Sequence, residues 1–397
     1  MVPGLAEGGG VPTVARFLHR VLTDSGRYAP ALISLPMSST DPRGVGITRP
    51  TSWFRGPAVH YGTWEEHPYV ELGAVGTEME VLRLRPRRAL TELLNGYDLV
   101  QVVAGAPAWA NVAANVRRPV LLQVATLTEW ERVSLLRATG GARGMWLRSI
   151  TPLVGKMDRA ALRHVRAAFV ENERMRVALS EWMPPSAVHF APPGVDTERF
   201  RPAVGAAPAG PPYILAVARW DDPRKNIGLL LRAYAELRRR AAAAPALILA
   251  GSTPPTDADM AIASELGVAG TVEFRGGLDD DSLAELYRGA AAVALSSDEE
   301  GLGLVLLEAM ASGVPVVSTA SGGPQTSVVD GETGYLTPVG DAGAFADRLA
   351  ALLADETRRR AMGVRARAHV ETNFSLEAAG RPFLRVYDQL VRRQAAT

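Results

Sequence analysis

Cysteine is absent from this chain of 397 residues. A chain without thiols forms no disulfide bonds, no thiolate metal site and no cysteine nucleophile, and this composition favours a cytoplasmic location. An excess of charge of one sign is also lacking, because 43 Lys and Arg residues oppose 42 Asp and Glu residues and leave a formal net charge of +1. Without a general positive field to attract nucleic acid, no nucleic-acid partner is expected.

Long hydrophobic runs are lacking as well. No apolar stretch reaches the roughly 20 residues that span a bilayer, and the first thirty residues do not show the charged and then apolar pattern of a signal peptide. We therefore expect a cytoplasmic chain, with peripheral contact to the inner face of a membrane left open. The length suffices for two domains, each with its own hydrophobic core.

Strands alternate with helices along the sequence, which predicts an α/β fold with parallel sheets. In the first half the predicted strands cover 31–35, 80–84, 99–103, 120–124 and 167–170, and the predicted helices cover 11–22, 87–94, 108–116 and 157–165. After a Pro- and Gly-rich linker at 202–212, the second half has strands at 213–218, 246–250, 271–274, 291–295 and 314–318, and helices at 225–240, 257–266 and 280–289. These two halves predict two doubly wound domains facing across a cleft, with ligands near the carboxyl ends of the strands.

A glycine-rich loop precedes the first predicted helix. Gly9 and Gly10 are followed by Val11-Pro12, and proline is accepted in the first turn of a helix. Such a loop is expected after a strand and close to a bound ligand, but only residues 1–5 come before it. We therefore expect the first strand to be missing or truncated, with the true start of the protein upstream.

The most informative run is S-S-D-E-E-G-L-G-L-V-L-L-E, which ends at Glu308. Glu300 comes before an apolar helix, and Glu308 lies about two turns into it. Between them the backbone N–H groups of Gly301 to Leu304 are left unpaired by the helix and are available to an anion. The run predicts a phosphate site with a polyol on either side, as in a sugar nucleotide. The alternative is a buried strand–loop–helix unit whose glutamates are only solvated.

A second cluster agrees with the first. Arg219 ends the strand predicted at 213–218, and Lys225 follows six residues later at the start of a helix. A planar guanidinium and a movable ammonium across a short turn can converge on one diphosphate. The alternative is that both side chains are solvated surface cations.

These motifs resemble those of the retaining glycosyltransferases of family 4, which have the GT-B fold. The matching pieces are A-V-A-R-W-D-D-P-R-K-N, V-E-F-R-G, L-Y-R-G-A, E-E-G-L-G-L-V-L-L-E, S-G-G-P and D-G-E-T-G-Y-L. The resemblance is strong from about residue 192 to residue 336. It implies an acceptor-binding domain at 1–198, a nucleotide-sugar-binding domain at 199–374, both Rossmann-like, and a helix at 375–397 that packs back toward the first domain.

The resemblance also implies roles for particular residues. Arg219 and Lys225 would hold the donor diphosphate, and Glu300 would contact the transferred sugar, so these three are the predicted catalytic residues. Glu308 would bind the nucleotide ribose. The remaining donor-binding candidates are backbone positions: Gly9, Gly10, Gly301, Leu302, Gly303, Leu304, Gly322 and Gly323. The reaction implied is transfer, with retention, of a hexose-type sugar to a small-molecule, glycan or lipid acceptor, with the nucleotide sugar as substrate and no cofactor.

Two positions depart from the family pattern. Family members often carry a histidine where this chain has Ala125, and a glutamate near Gln325-Thr326. These changes leave two other interpretations open. One is a sugar-nucleotide epimerase of the same architecture, and the other is a catalytically degenerate protein that binds sugar nucleotides.

Three further segments have two interpretations each. The acids at 279–281 and 221–222 suggest a metal site, but helix capping and a proline turn explain them better, so no metal is predicted. The aromatic and acidic stretch 51–69 is either an acceptor-binding loop or an excursion packing on its own sheet. Six basic residues between Arg143 and Arg166, interleaved with apolar ones, form either a membrane-docking segment or a buried helix with a basic outer face, and Pro152 is expected to interrupt any single helix there.

Overall fold

The computed structural model describes residues 1–5, 9–37, 41–203, 210–241 and 243–395. The chain divides into two compact units. Unit 1 comprises Met1–Pro193 together with Gly380–Thr397, and unit 2 comprises Gly194–Ala379. Most of the predicted linker, residues 204–209, lies outside the described residues. Among the helices of the described residues, none combines the length and apolar character needed to cross a membrane.

Unit 1 contains two four-stranded sheets, in the orders β1-β2-β4-β3 and β5-β6-β7-β8. All neighbouring strands are parallel except β3 and β4, which form an antiparallel hairpin. The Met1 nitrogen donates to the Gln101 carbonyl and the Val103 N–H donates to the Met1 carbonyl, so these bonds join the two sheets at β1 and β5. The strands are β1 (Val2–Pro3), β2 (Leu32–Leu35), β3 (Val59–Trp64), β4 (His67–Leu72), β5 (Val100–Ala104), β6 (Val120–Val124), β7 (Ala167–Val170) and β8 (Val188–Phe190).

Helices cover the sheets of unit 1. Helix α1 shows why they form, because its apolar residues recur at helical spacing and Val14, Phe17, Leu18 and Val21 are buried. The helices are α1 (Gly10–Asp24), α2 (Pro50–Trp53), α3 (Glu80–Arg83), α4 (Arg88–Asn95), α5 (Thr128–Ala138), α6 (Gly141–Leu162) and α7 (Glu173–Ser180), with 3-10 turns at Pro107–Ala113 and Pro185–Ala187.

Two predictions for this half of the chain were wrong, and one element was missed. Residues 80–84, predicted as a strand, begin with the short helix α3, since a short apolar run does not distinguish the two. The hairpin β3–β4 was not predicted as strands. Pro152 does not interrupt α6, where it lies on the exposed side of the helix. Proline has no N–H to donate to the preceding turn. In that turn the Thr151 hydroxyl donates to the Leu147 carbonyl.

Unit 2 contains a six-stranded parallel sheet in the order β11-β10-β9-β12-β13-β14. Its core strands are almost uninterrupted apolar runs, as expected where helices cover both faces of a parallel sheet. The strands are β9 (Tyr213–Val217), β10 (Ala246–Ala250), β11 (Val272–Arg275), β12 (Ala290–Leu295), β13 (Val316–Thr319) and β14 (Gly334–Thr337). The helices are α8 (Ile227–Arg240), α9 (Asp257–Glu265), α10 (Asp280–Gly289), α11 (Leu304–Ala311), α12 (Pro324–Ser327), α13 (Ala342–Ala354) and α14 (Glu356–Asn373), with 3-10 turns at Pro223–Lys225 and Ala269–Thr271.

The last helix, α15 (Leu376–Ala395), begins in unit 2 and continues in unit 1. Phe383 is fully buried, with its ring centroid 4.4 Å from that of Phe169 on β7 and 5.8 Å from that of Phe17 on α1. The Tyr387 hydroxyl donates to the Gln101 side chain over 2.7 Å. A segment that follows unit 2 in the sequence therefore supplies large side chains to the core of unit 1.

Candidate functional site

The loop after β9 holds the first two predicted cations. Asp222 accepts a hydrogen bond from the Arg224 N–H and caps the 3-10 turn that ends at Lys225. Burial opposes ionisation of Asp222, but hydrogen bonds and charge from Arg224 hold its pKa below the usual value. The Arg219 guanidinium lies 3.4 Å from the same carboxylate and is about half exposed. The turn thus keeps one arginine available to solvent and places Lys225 at its end.

Asn226 directs the chain from this turn into α8. Its backbone is in the left-handed region, with φ of 45°, a conformation that asparagine tolerates better than most residues. The side chain accepts from the Leu229 N–H as the helix N-cap and donates to Asp298 over 2.7 Å. The cap therefore also ties the loop after β9 to the loop after β12.

Lys225 and Glu300 form a direct ion pair. The Lys225 ammonium donates to Glu300 Oε1 over 2.6 Å, and the Ser297 hydroxyl donates to the same oxygen over 2.6 Å. The exposed fractions of the two charged side chains are only 19% and 11%. Because partial burial weakens solvent screening, this pair is held more firmly than an ordinary surface ion pair.

The loop that carries Glu300 is fixed on both sides. The Glu300 N–H donates to the Ser321 carbonyl, and the Gly323 N–H donates to the Glu300 carbonyl over 2.9 Å. A Cβ at Gly323 would lie 2.5 Å from the carbonyl carbon of Gly301, so only glycine allows this approach of two backbones. Gly322, at φ of 109°, also favours glycine.

Gln325 closes the same loop. Its side-chain oxygen accepts from the Gly322 N–H over 2.9 Å, and its side-chain nitrogen donates to the Ala320 carbonyl over 3.1 Å. The sequence presented Gln325 only as a departure from the family pattern. In the structure it stabilises the glycine turn next to Glu300.

Helix α11 begins directly after the glycine loop. Gly303 is its N-cap residue at φ of 80° and offers no side chain to the helix end. Within the described residues, the N–H groups of Leu302, Gly303 and Leu304 donate no hydrogen bond to another backbone group. These three amides, next to Glu300 in the sequence, are therefore left unpaired by the helix, and their role in binding an anion stays a prediction.

Glu308 lies on α11, about one turn after the helix begins at Leu304. The Tyr287 hydroxyl donates to Glu308 Oε2 over 2.7 Å. Burial, reinforced by the Glu308 carboxylate, raises the pKa of Tyr287 well above its usual value, so Tyr287 remains a donor. The tyrosine thus holds one carboxylate oxygen in place.

These groups lie at one edge of the sheet in unit 2. Arg219 follows β9, Glu300 follows β12 and Gly322 follows β13, and these three strands are adjacent and parallel. Ligands of doubly wound folds bind at the carboxyl ends of the strands. The other two predicted positions, Gly9 and Gly10, belong to unit 1, where Gly9 has φ of 97° and comes directly before α1.

Several residues of this site were missed from the sequence. Ser297, Asn226 and Asp298 orient the ion pair and its loops. The sequence features that could have indicated them are the S-S-D run before the two glutamates and the asparagine after Lys225. Hydroxyl, amide and carboxylate side chains at strand ends and helix starts are typical orienting residues.

No metal ligand set is apparent in the described part of the chain, where no group of three or more His, Asp or Glu side chains is placed to hold an ion. Asp279 caps α10 by accepting from the Ser282 N–H over 2.8 Å, and Asp221 accepts from the Thr253 hydroxyl. Metal independence stays a prediction. At Ala125, after β6, the backbone N–H donates to the Gly105 carbonyl, and the side chain offers no polar group.

The aromatic stretch 51–69 divides between the two ends of the strands in the β1-β2-β4-β3 sheet of unit 1. Trp53 and Phe54, the latter 92% exposed, precede β3 near the carboxyl end of the parallel strands. Trp64 and His67 flank the hairpin turn at the opposite edge, where with α1 they line a cavity of about 170 Å³. Only the first pair lies where doubly wound folds bind ligands.

The family model described as "Glycosyl transferases group 1" matches residues 197–369. A D-inositol 3-phosphate glycosyltransferase of Nocardia farcinica is 40% identical over 196 residues, which cover 46% of this chain and 43% of that protein. A GDP-mannose-dependent alpha-(1-6)-phosphatidylinositol monomannoside mannosyltransferase of Mycolicibacterium smegmatis is 35% identical over 242 residues, which cover 56% of this chain and 63% of that protein. The chain thus spans about half the length of the curated relatives it matches.

Solved structures share the fold over nearly the whole chain. Sucrose-phosphate synthase from Thermosynechococcus elongatus has a TM-score of 0.72 at 24% identity and covers 98% of this chain and 95% of its own. HepE of Anabaena, solved in complex with UDP and glucose, has a TM-score of 0.67 at 15% identity, with 96% of each chain covered. The predicted α/β fold class, GT-B with two Rossmann-like domains, is confirmed. Residues 197–369, which carry the site described above, thus match the glycosyl transferases group 1 family model, and the whole chain shares the fold of solved glycosyltransferases.

Proposed function

We propose that this protein is a metal-independent, retaining glycosyltransferase that moves a hexose-type sugar from a nucleotide diphosphate sugar to an acceptor hydroxyl. The observation that carries the proposal is the Lys225–Glu300 ion pair beside the uncapped start of α11. The Lys225 ammonium and the unpaired amides can bind a diphosphate, and the Glu300 carboxylate can accept hydrogen bonds from sugar hydroxyls.

The two cations serve the leaving group. When the bond between the anomeric carbon and the diphosphate oxygen breaks, its electron pair goes to that oxygen. Arg219 and Lys225 stabilise the negative charge that develops, together with the amides of Leu302, Gly303 and Leu304. Electrostatic stabilisation of this kind is usually the largest single contribution to catalysis. The exposed Arg219 guanidinium can reach a ligand without breaking a buried contact.

Glu300 serves the sugar. One of its oxygens accepts from Lys225 and Ser297, which leaves the other available to sugar hydroxyls. Held in this way, the carboxylate is a positioning acceptor rather than a nucleophile. The acceptor hydroxyl then forms its bond on the face that the phosphate vacates and gives its proton to the departing phosphate oxygen. Glu308, oriented by Tyr287, binds the ribose of the nucleotide.

The relatives bear on the substrates. The first relative named above is a D-inositol 3-phosphate glycosyltransferase and the second is dependent on GDP-mannose, whereas HepE was solved with UDP and glucose. We infer a nucleoside diphosphate sugar as donor substrate and an inositol-containing or other polyol acceptor, bound by unit 1. The enzyme is proposed to act in the cytoplasm, where nucleotide sugars are available, and to need no further cofactor.

A thermal-shift panel tests donor binding. UDP, GDP, ADP and dTDP at saturating excess are added to the full chain without metal ions. We expect at least one to raise the melting temperature, since a ligand at 100 times its Kd stabilises by about 2.7 kcal/mol. The matching sugar nucleotide is then incubated with polyol acceptors, and the anomeric configuration of the product is read by NMR. An inverted product, or no shift with any nucleotide, would contradict the proposal.

The same experiment separates the two rivals. An epimerase would convert the sugar without an acceptor. A degenerate binding protein, for which Ala125 is the specific observation, would show the thermal shift and neither transfer nor hydrolysis.

A further inference from the structure

The N-terminal half of helix α6 extends beyond the edge of its sheet. Asp158 accepts from the N–H groups of Ala108 and Thr128, which follow the carboxyl ends of β5 and β6 and so mark that edge. Residues 141–157 precede Asp158 by up to seventeen positions in the same helix, or about 25 Å. Helices α5 and α6 together form a helical hairpin that rises from the carboxyl edge of unit 1.

The outer side of this helix is apolar at its centre. Met145, Trp146, Pro152 and Leu153 recur at the spacing that places residues on one side of a helix. The exposed fractions are 66% for Met145, 50% for Trp146 and 48% for Leu153. We call this surface the α6 face, defined by Met145, Trp146, Ser149, Pro152, Leu153 and Lys156. Large apolar side chains grouped on one exposed helix side usually mark an interaction site.

Basic residues surround the α6 face. Lys156 lies on it, one turn after Leu153, and the others border it or follow it along the helix: Arg143, Arg148, Arg159 and Arg163. Within the described residues none of the five forms an ion pair with a carboxylate, although Arg148 donates to the Leu136 carbonyl and Arg159 stacks over the Trp182 ring. The only acid of the helix, Asp158, is buried. On α14, by comparison, two of the five arginines, Arg360 and Arg367, pair with glutamates on their own helix.

We propose that the α6 face docks this protein onto an anionic lipid bilayer. An apolar centre enters the boundary between headgroups and acyl chains, while unpaired basic residues attract anionic headgroups. A protein partner would demand shape and directional hydrogen bonds, whereas this face offers aliphatic and indole groups ringed by flexible cations. Because Arg143, Lys156 and Arg163 have no carboxylate partner among the residues that the structure describes, their charges are available to lipid phosphates.

Docking has a consequence for the acceptor, and this step rests on the proposed function. The α6 face stands at the edge of unit 1 where ligands of doubly wound folds bind. A bilayer held there brings lipid headgroups close to that edge. The acceptor hydroxyl is therefore assigned to a membrane lipid headgroup rather than to a freely diffusing polyol.

Vesicle flotation of the full chain tests the docking. Vesicles of phosphatidylcholine alone are compared with vesicles containing about 30% phosphatidylglycerol. We expect at least tenfold tighter binding to the anionic vesicles, weakened by high salt. The double substitution Trp146→Ser with Leu153→Ser, and separately Arg143→Glu with Lys156→Glu, should each reduce binding about tenfold or more.

Val364→Ser is the matched control, because Val364 is 70% exposed on unit 2 and should leave flotation unchanged. Equal binding of all variants, or no binding of the wild type, would overturn the proposal. So would a wild-type dimer that becomes a monomer in the Trp146/Leu153 variant, since the face would then be a self-association surface.

Nucleotide binding separates this inference from the proposed function. The docking variants should keep the wild-type affinity for the nucleotide, and Lys225→Ala should float like the wild type. If flotation fails while nucleotide binding persists, only the docking is wrong. If flotation succeeds without any sugar transfer, the docking stands and the proposed function does not.

Discussion

Single residues of the site have separable roles. Lys225 supplies charge to a departing diphosphate, whereas Ser297 only holds the carboxylate that Lys225 contacts. A direct catalytic contribution should therefore exceed an orienting one. Substitutions at these two positions can therefore be compared directly by their effects on kcat.

We expect Lys225→Ala to lower kcat by about 10²–10³-fold, the range for removing one donor to a developing negative charge. Glu300→Gln should cost a similar factor, because the amide presents no charge to the sugar or to Lys225. Steady-state kinetics with the donor found in the thermal-shift panel measures both. Ser297→Ala is the matched comparison and should lose about tenfold or less; an equal loss in all three variants would refute the division of roles.

Gly323 gives a prediction about stability. A methyl group there would lie 2.5 Å from backbone atoms of Gly301 and Leu302, so one of the two loops must move. Gly323→Ala should destabilise unit 2 by about 1–3 kcal/mol and weaken nucleotide binding. Gly270→Ala, where a Cβ meets no atom within 4 Å, is the control. Urea denaturation that ranks the two variants equally would contradict the close approach.

At the scale of elements, Asp158 joins three segments of unit 1. Its carboxylate accepts from the N–H of Ala108, the second residue of a 3-10 turn, and from the N–H and hydroxyl of Thr128 at the start of α5. Asp158→Ala should destabilise unit 1 by about 3 kcal/mol, because buried donors lose a charged acceptor. Asp24→Ala, at an exposed ion pair, should change stability by less than about 0.5 kcal/mol.

The same residue predicts a pH dependence. Burial raises the pKa of Asp158 to about 6, against the opposing effect of its hydrogen bonds from Thr128 and Ala108. Between the unfolded value of 3.8 and about 6 the folded protein binds the proton more tightly, so this contribution to stability is lost as pH rises through the window. The stability difference between wild type and Asp158→Ala should therefore shrink from pH 4 to pH 7. A constant difference in urea denaturation would show that Asp158 does not titrate there.

At the scale of the molecule, a segment at the end of the sequence packs in the core of the unit formed by the beginning of the sequence. Phe383 lies beyond all of unit 2 in the sequence but packs between Phe17 and Phe169 of unit 1. Phe383→Ala in the full chain should cost about 3–5 kcal/mol of unit 1 stability, as for other buried phenylalanines. Val391→Ala, on the exposed side of the same helix, should be nearly neutral. Equal urea midpoints for the two variants would contradict this packing.

Much of the candidate site could be read from the sequence because its residues are close neighbours along two short loops. Arg219 and Lys225 share one turn, and Glu300 and Gly303 share another. Their distances are limited by a few bonds and by the geometry of a helix start. The strands of unit 2 were also predictable, since buried parallel strands are continuous apolar runs bounded by turn residues.

Unit 1 was predicted less well. The helix at Glu80–Arg83 and the hairpin of β3 and β4 have mixed apolar and polar residues, and their conformation depends on the neighbours against which they pack. Pro152 shows the same effect, because tertiary packing of α6 retains a helix that local preference opposes.

The sequence by itself determined the α/β class, the resemblance of residues 192–336 to a glycosyltransferase family and the identity of the charged groups, because periodicity and loop chemistry are local properties of the chain. Only the tertiary structure decided that Lys225 meets Glu300 and that Gln325 closes the glycine turn. It also decided that Phe383 completes the core of unit 1 and that the α6 face is exposed. Contacts between segments distant in sequence depend on strand order and packing, which residue patterns do not specify.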